Sequence, residues 1–584
     1  MADVEAARRA LEEALGPAEV LSEPLALLLY ARDSSMVEGG CALVAFPRKV
    51  EDIVACVRIA AEHGLSVVPR GSGTGLAGAA TPVGEALVVV TTKMNRILEI
   101  RPEDRLAWVE PGVLNLDLAD ALTPHGFTYA PDPSSQATCS IGGNVTTNAG
   151  GPHCLAYGVT SNHVLAVDVV LPDGTVERLG AEGPEAAGYD LRGLMVGSEG
   201  TLGIVAAVCV RLTPLPQAVR TMLLDFETAE DCAATVSAII ASGVVPAAVE
   251  MMDQGIVIAA ENFAHAGYPT DAAAILIVEV DGNNATVQAQ AAVVEASARA
   301  NRVRSVRVAA DEAERALLWK GRKSAFGAVA QIAPHYHLHD CTVPRTKLAE
   351  VLSGIYAIAK RHDLTVTNVF HAGDGNLHPL LSFDRRAPGT LERVLKASEE
   401  IVRLCVDAGG ALSGEHGIGL EKRAFMSLVY SEEDLAAQAC VRAVFDPAGL
   451  LNPHKVLPED ARCAELAMLQ GMDAAKAAAD MPEGSWIRST RTARPTSSRR
   501  SSRRPSSAAV CSSSAAGGTW TRATRARSTP SCGRPCSTGS STTSRRRWSP
   551  SSRPGCASVT SSGCSPRAGR SGRSTRRMTR PSAV

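Results

Sequence analysis

The chain has 584 residues, 45% of them hydrophobic and 21% charged, enough to bury a large core and fill about two to four domains at ~150 residues each. The formal net charge of −2 hides an asymmetry: residues 491–584 contain Arg but no Lys, Asp or Glu, so all 61 acidic residues lie before Arg491. An acidic body argues against nucleic acid or an anionic membrane as its main partner, since both require basic surface.

In chain order, residues 1–40 read as short N-terminal helices ending near Tyr30. Apolar residues at helical spacing predict a helix over 50–63, stopped by Gly64. Strands follow at 65–69, 87–91, 96–100 and 106–110, then a short helix at 115–123. This mixture of strands, short helices and glycine turns to residue 216 predicts an α+β domain over 41–216, with Pro214 and Pro216 marking its end. A second α+β domain is expected over 217–458, with helices at 229–241, 284–300 and 346–362 and strands at 274–279 and 365–371. Residues 459–484 read as a helical extension.

From 485 to the last residue a disordered Arg/Ser-rich tail is expected, because nothing there can form a core. One reading is a basic nucleic-acid-binding tail. The other is an off-frame translation of a GC-rich gene, entered between about Met481 and Arg491. The ten Cys before residue 490 are scattered without a C-x-x-C pair, so neither a zinc ribbon nor an Fe–S cluster is spelled out there. The start carries no secretory pattern and no apolar run reaches the ~18 residues of a membrane span, so a cytoplasmic location is expected.

Three glycine-rich segments stand out. Val67–Ala80 contains G-T-G-L-A-G, a formal dinucleotide fingerprint with Glu99 about 20 residues on. That fingerprint needs a helix directly after the glycines, and Pro82, Gly84 and the strand near Leu87 leave no room for one. A nicotinamide Rossmann site is therefore not expected. Pro131–Gly151 and Gly188–Val205 are the second and third segments. Several such loops in one domain point to a long cofactor gripped by backbone along its length.

P-R-G-S-G-T-G, I-G-G-N-V-T-T-N-A-G-G and G-S-E-G-T-L-G-I-V resemble the FAD-binding domain of the vanillyl-alcohol-oxidase/PCMH flavoprotein superfamily, and 217–458 resembles its FAD-linked oxidase C-terminal cap domain. Within it the motifs are similar to the FAD subunit of glycolate oxidase and to the D-lactate dehydrogenases. The resemblance implies that Arg70, Gly71, Ser72, Gly73, Thr74 and Gly75 wrap the pyrophosphate. It implies contacts to flavin and phosphates from Pro131, Ser134, Gly142, Gly143, Asn144, Asn148 and Gly150, and to the adenosine half from Glu199, Gly200 and Ile204. Some members attach FAD through a His in the first loop; that loop has none here, so FAD is expected to bind non-covalently.

His371 and His378 flank a glycine-rich turn, and Ala411–Gly419 adds Glu415 and His416. Two imidazoles and a carboxylate suit a divalent metal such as Zn or Mn, with the remaining His free to act as base. The bland alternative is two unrelated loops with local hydrogen bonds. The family resemblance implies His371, His378 and Glu415 as metal ligands and His416 as catalytic base. Oxidation of a 2-hydroxyacid takes a proton from the hydroxyl and a hydride from Cα, the latter expected to pass to flavin N5. Arg322 matches the family's substrate arginine and offers a fork of N–H donors for the carboxylate; its alternative is a solvated helix face.

His335, His337 and His339 fall on one face of a strand at period two. Leu338 stands where hydroxyglutarate-oxidising relatives carry a lysine, which argues for a small substrate. Asn452 lies in the family's closing motif, near the flavin by resemblance. The expectation is an FAD-dependent enzyme oxidising glycolate or D-lactate to the 2-oxoacid. The resemblance implies Fe–S and second flavin-type subunits as electron acceptors, with peripheral attachment at the inner face of a membrane. A D-lactate dehydrogenase acting alone with a quinone or cytochrome acceptor, an alkyl-transferring relative that would not turn over glycolate, and a basic-tailed binding protein are the alternatives.

Overall fold

The computed structural model describes residues 2–183 and 188–458. The helical extension expected at 459–484 and the tail expected from 485 lie outside the described residues.

Helix Val50–Glu62 buries Ile53, Cys56, Val57 and Ala60, the one-sided spacing of an amphipathic helix. That face covers a four-stranded sheet ordered Val20–Leu21, Leu43–Ala45, Ala86–Val90, Ser66–Arg70, in which the last three strands are parallel. The glycine loop leaves Ser66–Arg70 and runs into Ala86–Val90 without a helix, as the prolines require. A second sheet is antiparallel and ordered Ile97–Arg101, Leu106–Val109, Ile204–Arg211, Val164–Val170, Val176–Gly180. Two helices, Asn115–Leu122 and Ile141–Thr147, share its core through Leu118, Ile141 and Val145.

Ile141–Thr147 lies within what the sequence suggests is a glycine loop, yet it is helical. Gly142 sits where a Cβ would come within 2.5 Å of the Pro111 Cβ, so glycine is required for close backbone approach rather than for a turn.

The third sheet holds nine strands, running Ser305–Val308, Ala218–Phe226, Ala274–Gly282, Ala248–Asp253, Thr365–His371, Asn376–Leu377, Cys341–Thr342, with His335–Leu338 and Pro379–Phe383 attached through Thr365–His371. Both its faces are covered. Leu276 and Val278 point into a core with helices Ala229–Ala241, Asn284–Ala300, Leu348–Arg361 and Thr390–Asp407. Ile275 and Ile277 point the other way, against helices Gln254–Ala264 and Glu312–Ala328. This explains the unbroken apolar run of that strand, since burial on two faces removes the usual polar alternation. The chain then returns to the first sheet: the Asn452 N–H donates to Val67 O at 2.7 Å and Leu451 bridges Val67.

Candidate active site

A cavity of about 400 Å³ is walled by all three glycine segments. Arg70, Gly71, Ser72, Gly73, Thr74 and Gly75 line it, as do Ser134, Gly142, Gly143, Asn144, Gly150, Glu199, Gly200 and Ile204. Other lining residues come from helix Glu312–Ala328 (Lys323, Phe326), strand His335–Leu338 (Tyr336, Leu338) and the loop after helix Thr390–Asp407 (Glu415, His416). The first glycine loop and the start of helix Ile141–Thr147 approach closely, for a Cβ on Gly71 would lie 2.3 Å from Ser140 Oγ. That hydroxyl lines the cavity, is buried and has no hydrogen-bond partner. Backbone-walled space with an unspent buried donor fits a phosphate-bearing cofactor.

Three expected cofactor contacts, Pro131, Asn148 and Asn452, are not on the cavity wall. The Pro131 carbonyl accepts from Asn115 Nδ2 at 2.9 Å, and Asn148 ends the Ile141–Thr147 helix at φ +51, its Oδ1 accepting from the Ser161 N–H. Asn452 is also behind the wall, donating from Nδ2 to Ala79 O at 2.9 Å and Glu199 O at 2.6 Å. Arg70 does line the cavity, with its guanidinium Nη1 donating to Arg32 O at 2.9 Å and Ala80 O at 3.4 Å, above the Tyr30 ring. Asn452 is thus a strut between two glycine segments. Asn452→Ala is expected to cost about 1–3 kcal/mol for carbonyls left unpaired and to lower the FAD retained per chain after gel filtration.

At the other end of the cavity, strand Thr365–His371 delivers His371, and the turn through Gly373 and Gly375 brings back His378. Gly375 sits at φ +76, with its Cβ position 2.2 Å from Val343 O, which no side chain could accept. His371 Nε2 lies 3.1 Å from Glu415 Oε1, and His378 Nε2 lies 3.3 Å from the same oxygen. One ligand atom from each of these three residues falls within 4.8 Å of the others. His416 stacks on His378 with ring centroids 5.0 Å apart. A Cβ on Gly150 would lie 2.6 Å from Glu415 Oε2, so the glycine wall and the cluster are in direct contact.

The electrostatics of the cluster follow from burial and close opposite charges. Burial opposes the Glu415 charge, but His371, then His378 and His416, hold its carboxyl down at about 2. His371 is clamped by two carboxylates, and these raise its imidazole well above the ordinary value despite burial. The second carboxylate is Glu250, which faces His371 across the strand register, with Nδ1 2.8 Å from Oε1. A carboxylate behind a histidine fixes its tautomer and leaves the other nitrogen for a metal. Burial pushes His416 down to about 4, leaving its imidazole neutral. His378 is buried with neither ring nitrogen in hydrogen-bond geometry. Two imidazole donors and one carboxylate, with His378 unspent, fit a divalent ion.

Sequence reasoning missed Glu250 and Asp340. Asp340, fully buried, accepts from the backbone N–H of Gly414, Glu415 and His416 and from Ser413 Oγ, and pairs with Lys422 Nζ at 2.9 Å. It therefore holds the loop that carries Glu415 and His416. The signals were a lone Glu in the apolar strand Ala248–Asp253 and an Asp ending a histidine run. Glu199 performs the matching task from the first domain: its carboxylate accepts from Ile418 N at 2.6 Å and Gly419 N at 2.8 Å. Burial outweighs these bonds and raises it to about 7.

Arg322 requires a correction. It is fully buried, does not line the cavity, and its Nη2 lies 2.6 Å from Glu250 Oε2. The fork expected to face a substrate instead backs the carboxylate that orients His371. Of the histidine strand, His335 is half-buried while His337 and His339 are buried, and His337 Nε2 lies 3.1 Å from Ser398 Oγ.

Beside the cavity, His153 Nδ1 lies 2.9 Å from Asp132 Oδ2 and its Nε2 3.3 Å from Glu279 Oε1. Burial would lower this imidazolium, but Asp132 and then Glu279 outweigh it and push it up to about 10. A folded value above the unfolded one contributes stability that is full below pH ~6.5 and is lost as pH rises towards 10. The melting temperature is expected to fall across that window, and His153→Gln to flatten the fall.

Residues 41–180 match the family model for the FAD binding domain, and residues 215–456 that for the FAD linked oxidases, C-terminal domain. The chain is 45% identical to the glycolate oxidase subunit GlcD of Escherichia coli strain K12 over 423 residues, 72% of this chain and 85% of that protein. The chain belongs to the FAD-linked oxidase family. It is also 34% identical to a D-lactate dehydrogenase of Anaerostipes hadrus, over 70% of this chain and 87% of that one. The fold is shared with the 4-ethylphenol oxidase of Gulosibacter chungangensis, at a TM-score of 0.67 and 19% identity, covering 79% of this chain and 99% of that one. As an FAD-linked oxidase this chain is an FAD-dependent oxidoreductase. No helix among the described residues is long and apolar enough to cross a membrane.

Proposed function

We propose that this FAD-linked oxidase oxidises a small 2-hydroxyacid, glycolate or D-lactate, to the 2-oxoacid. The observation that carries the reading is that Glu415 and His416, part of one buried cluster with His371 and His378, line the same cavity as the glycine segments. FAD, bound non-covalently there, supplies a two-electron acceptor. His371, His378 and Glu415 would hold a Zn or Mn ion, which would supply Lewis acidity there. His416, neutral and on the cavity wall, accepts the hydroxyl proton. Glu250 and Arg322 hold the His371 ring in register, and Asp340 holds the 413–416 loop at the spacing the base requires. Gly150 allows the carboxylate to approach the cofactor wall. Leu338 keeps that end of the cavity apolar and suited to a short substrate.

The reduced cofactor must be reoxidised. Among the described residues the candidate metal groups contain no cysteine, so electrons leave to another carrier. We place that carrier on Fe–S and second flavin-type partner subunits, in keeping with a relative that is itself called a subunit, and place the chain on the cytoplasmic side of a membrane.

The test is anaerobic reduction of the flavin, followed by its absorbance, with a panel of D- and L-2-hydroxyacids with and without chelator. Bleaching by glycolate or D-lactate that chelation abolishes is expected. No bleaching by any 2-hydroxyacid overturns the reading, and unchanged bleaching after chelation overturns the metal.

A further inference from the structure

Two walls of the cavity belong to different domains. Pro133, Ser134 and Ser135 come from the first, and Lys323 and Phe326 from helix Glu312–Ala328 of the second. Outside the cavity, His153 joins them. Its Nδ1 meets Asp132 Oδ2 at 2.9 Å and its backbone N–H donates to Asp132 Oδ1 at 3.3 Å, so ring and backbone both hold the residue that precedes Pro133. Its Nε2 meets Glu279 Oε1 at 3.3 Å, across the domain boundary. Glu279 is buried and also accepts from Trp319 Nε1 at 2.7 Å and from Arg315 Nε and Nη2 at 2.9 Å. Trp319 lies one turn before Lys323 on the same helix, and its ring centroid stands 5.4 Å from that of His153. One imidazole therefore ties the segment 132–135 to the helix that carries Lys323 and Phe326.

A neutral imidazole has one N–H and can donate to only one of two carboxylates, whereas the doubly protonated ring donates to both. The bridge between the domains thus requires the positive charge. The other charged groups on this face are Arg315, Lys320 and Lys323 of the helix and Glu312 at its start. Arg315 is taken by Glu279 and Glu312, and Lys323 by Gln136 and, at 3.5 Å, Asp132. Asp281, on the same strand as Glu279, accepts from the Tyr157 hydroxyl, and burial keeps the Cys154 thiol protonated. Burial opposes the imidazolium as well, but Asp132 and then Glu279 push it up to about 10. An opening of about 330 Å³ lined by His153, Trp319 and Lys320 gives the ring a route for proton exchange.

We propose that His153 is a positioning residue whose charge, shared between one carboxylate of each domain, pins the two walls together and slows the release of FAD. The inference rests on the reading that FAD occupies this cavity without a covalent bond, and not on the choice of substrate. A charge-assisted hydrogen bond of this kind is worth roughly 10- to 100-fold in an equilibrium or rate.

The experiment follows FAD release from the loaded holoenzyme, by the rise in free-flavin fluorescence on dilution, from about pH 7.5 to about pH 10.5. It compares the wild type with His153→Gln, which keeps hydrogen bonding without charge, and His153→Arg, which stays charged throughout. Wild-type release is expected to accelerate roughly 10- to 100-fold across the range. His153→Gln is expected to release at the fast rate from the lowest pH with little further rise, and His153→Arg to stay slow. If His153→Gln emerges without FAD, titration with added FAD is expected to give a Kd raised by the same factor. A flat wild-type profile overturns the proposal, as does an equally steep rise in both variants. Release from His153→Arg as fast as from His153→Gln also overturns it, since shape rather than charge would then be at work. FAD that stays on the acid-denatured chain overturns the non-covalent reading, and this inference with it; a holoenzyme that no 2-hydroxyacid reduces overturns the substrate reading alone.

Discussion

Glu415→Gln is expected to abolish metal retention and to slow flavin reduction by at least ~10³-fold, the scale of losing a Lewis acid together with the alignment of the base. Glu415 Oε1 lies 3.1 Å from His371 Nε2, 3.3 Å from His378 Nε2 and 3.8 Å from His416 Nε2. A neutral amide is isosteric but supplies no charge to hold a cation between the His371 and His378 imidazoles. The loss should show as missing metal in elemental analysis and as slow anaerobic flavin reduction at saturating substrate. FAD content should be preserved, because only Gly150 of the glycine wall is in close contact with this side chain. Wild-type reduction rates in a metal-free Glu415→Gln protein would remove the ion from the mechanism.

The second large effect is on stability. Asp340→Asn removes the charge opposite the fully buried Lys422 while leaving that ammonium in place. Breaking a buried pair from one side costs about 3–5 kcal/mol, which in a domain of this size corresponds to roughly 6–20 °C in melting temperature. The amide also cannot accept from three backbone N–H groups and Ser413 Oγ as the carboxylate does. Asp340→Asn combined with Lys422→Met removes the unpaired charge and is expected to recover part of the melting temperature. Flavin reduction should stay slow in the double variant, because the 413–416 loop is still unanchored. Full recovery of rate would show that Asp340 acts only through Lys422.

Much of this was legible from the chain alone, and the limits have physical causes. The glycine segments were readable because closely approaching backbone needs glycine wherever it occurs. The Ile141–Thr147 helix was hidden for the same reason, since two glycines in a row argue for a turn unless the neighbour they must admit, Pro111, is known. His371, His378, Glu415 and His416 were readable as two short motifs. Glu250 was not, because it matters only through its register opposite His371, 121 residues away. Arg322 and Lys323 are adjacent in sequence and about 100° apart around one helix. Which of them meets the cavity depends on how helix Glu312–Ala328 is rotated against the sheet, and no motif encodes that rotation. The bonds of Asn452 Nδ2 to Ala79 O and Glu199 O were not readable, for the same lack of side-chain direction.

The return of the chain to its first sheet has a consequence for biosynthesis. Val67, Ala77, Ala79 and Glu199 are made early, yet the groups that brace them, from Ile418 to Asn452, leave the ribosome more than two hundred residues later. A nascent amino-terminal half can build its sheets while its glycine segments still lack those braces. Cofactor capture is therefore expected late in synthesis, and a chain cut before Ile418 should emerge folded in part and colourless.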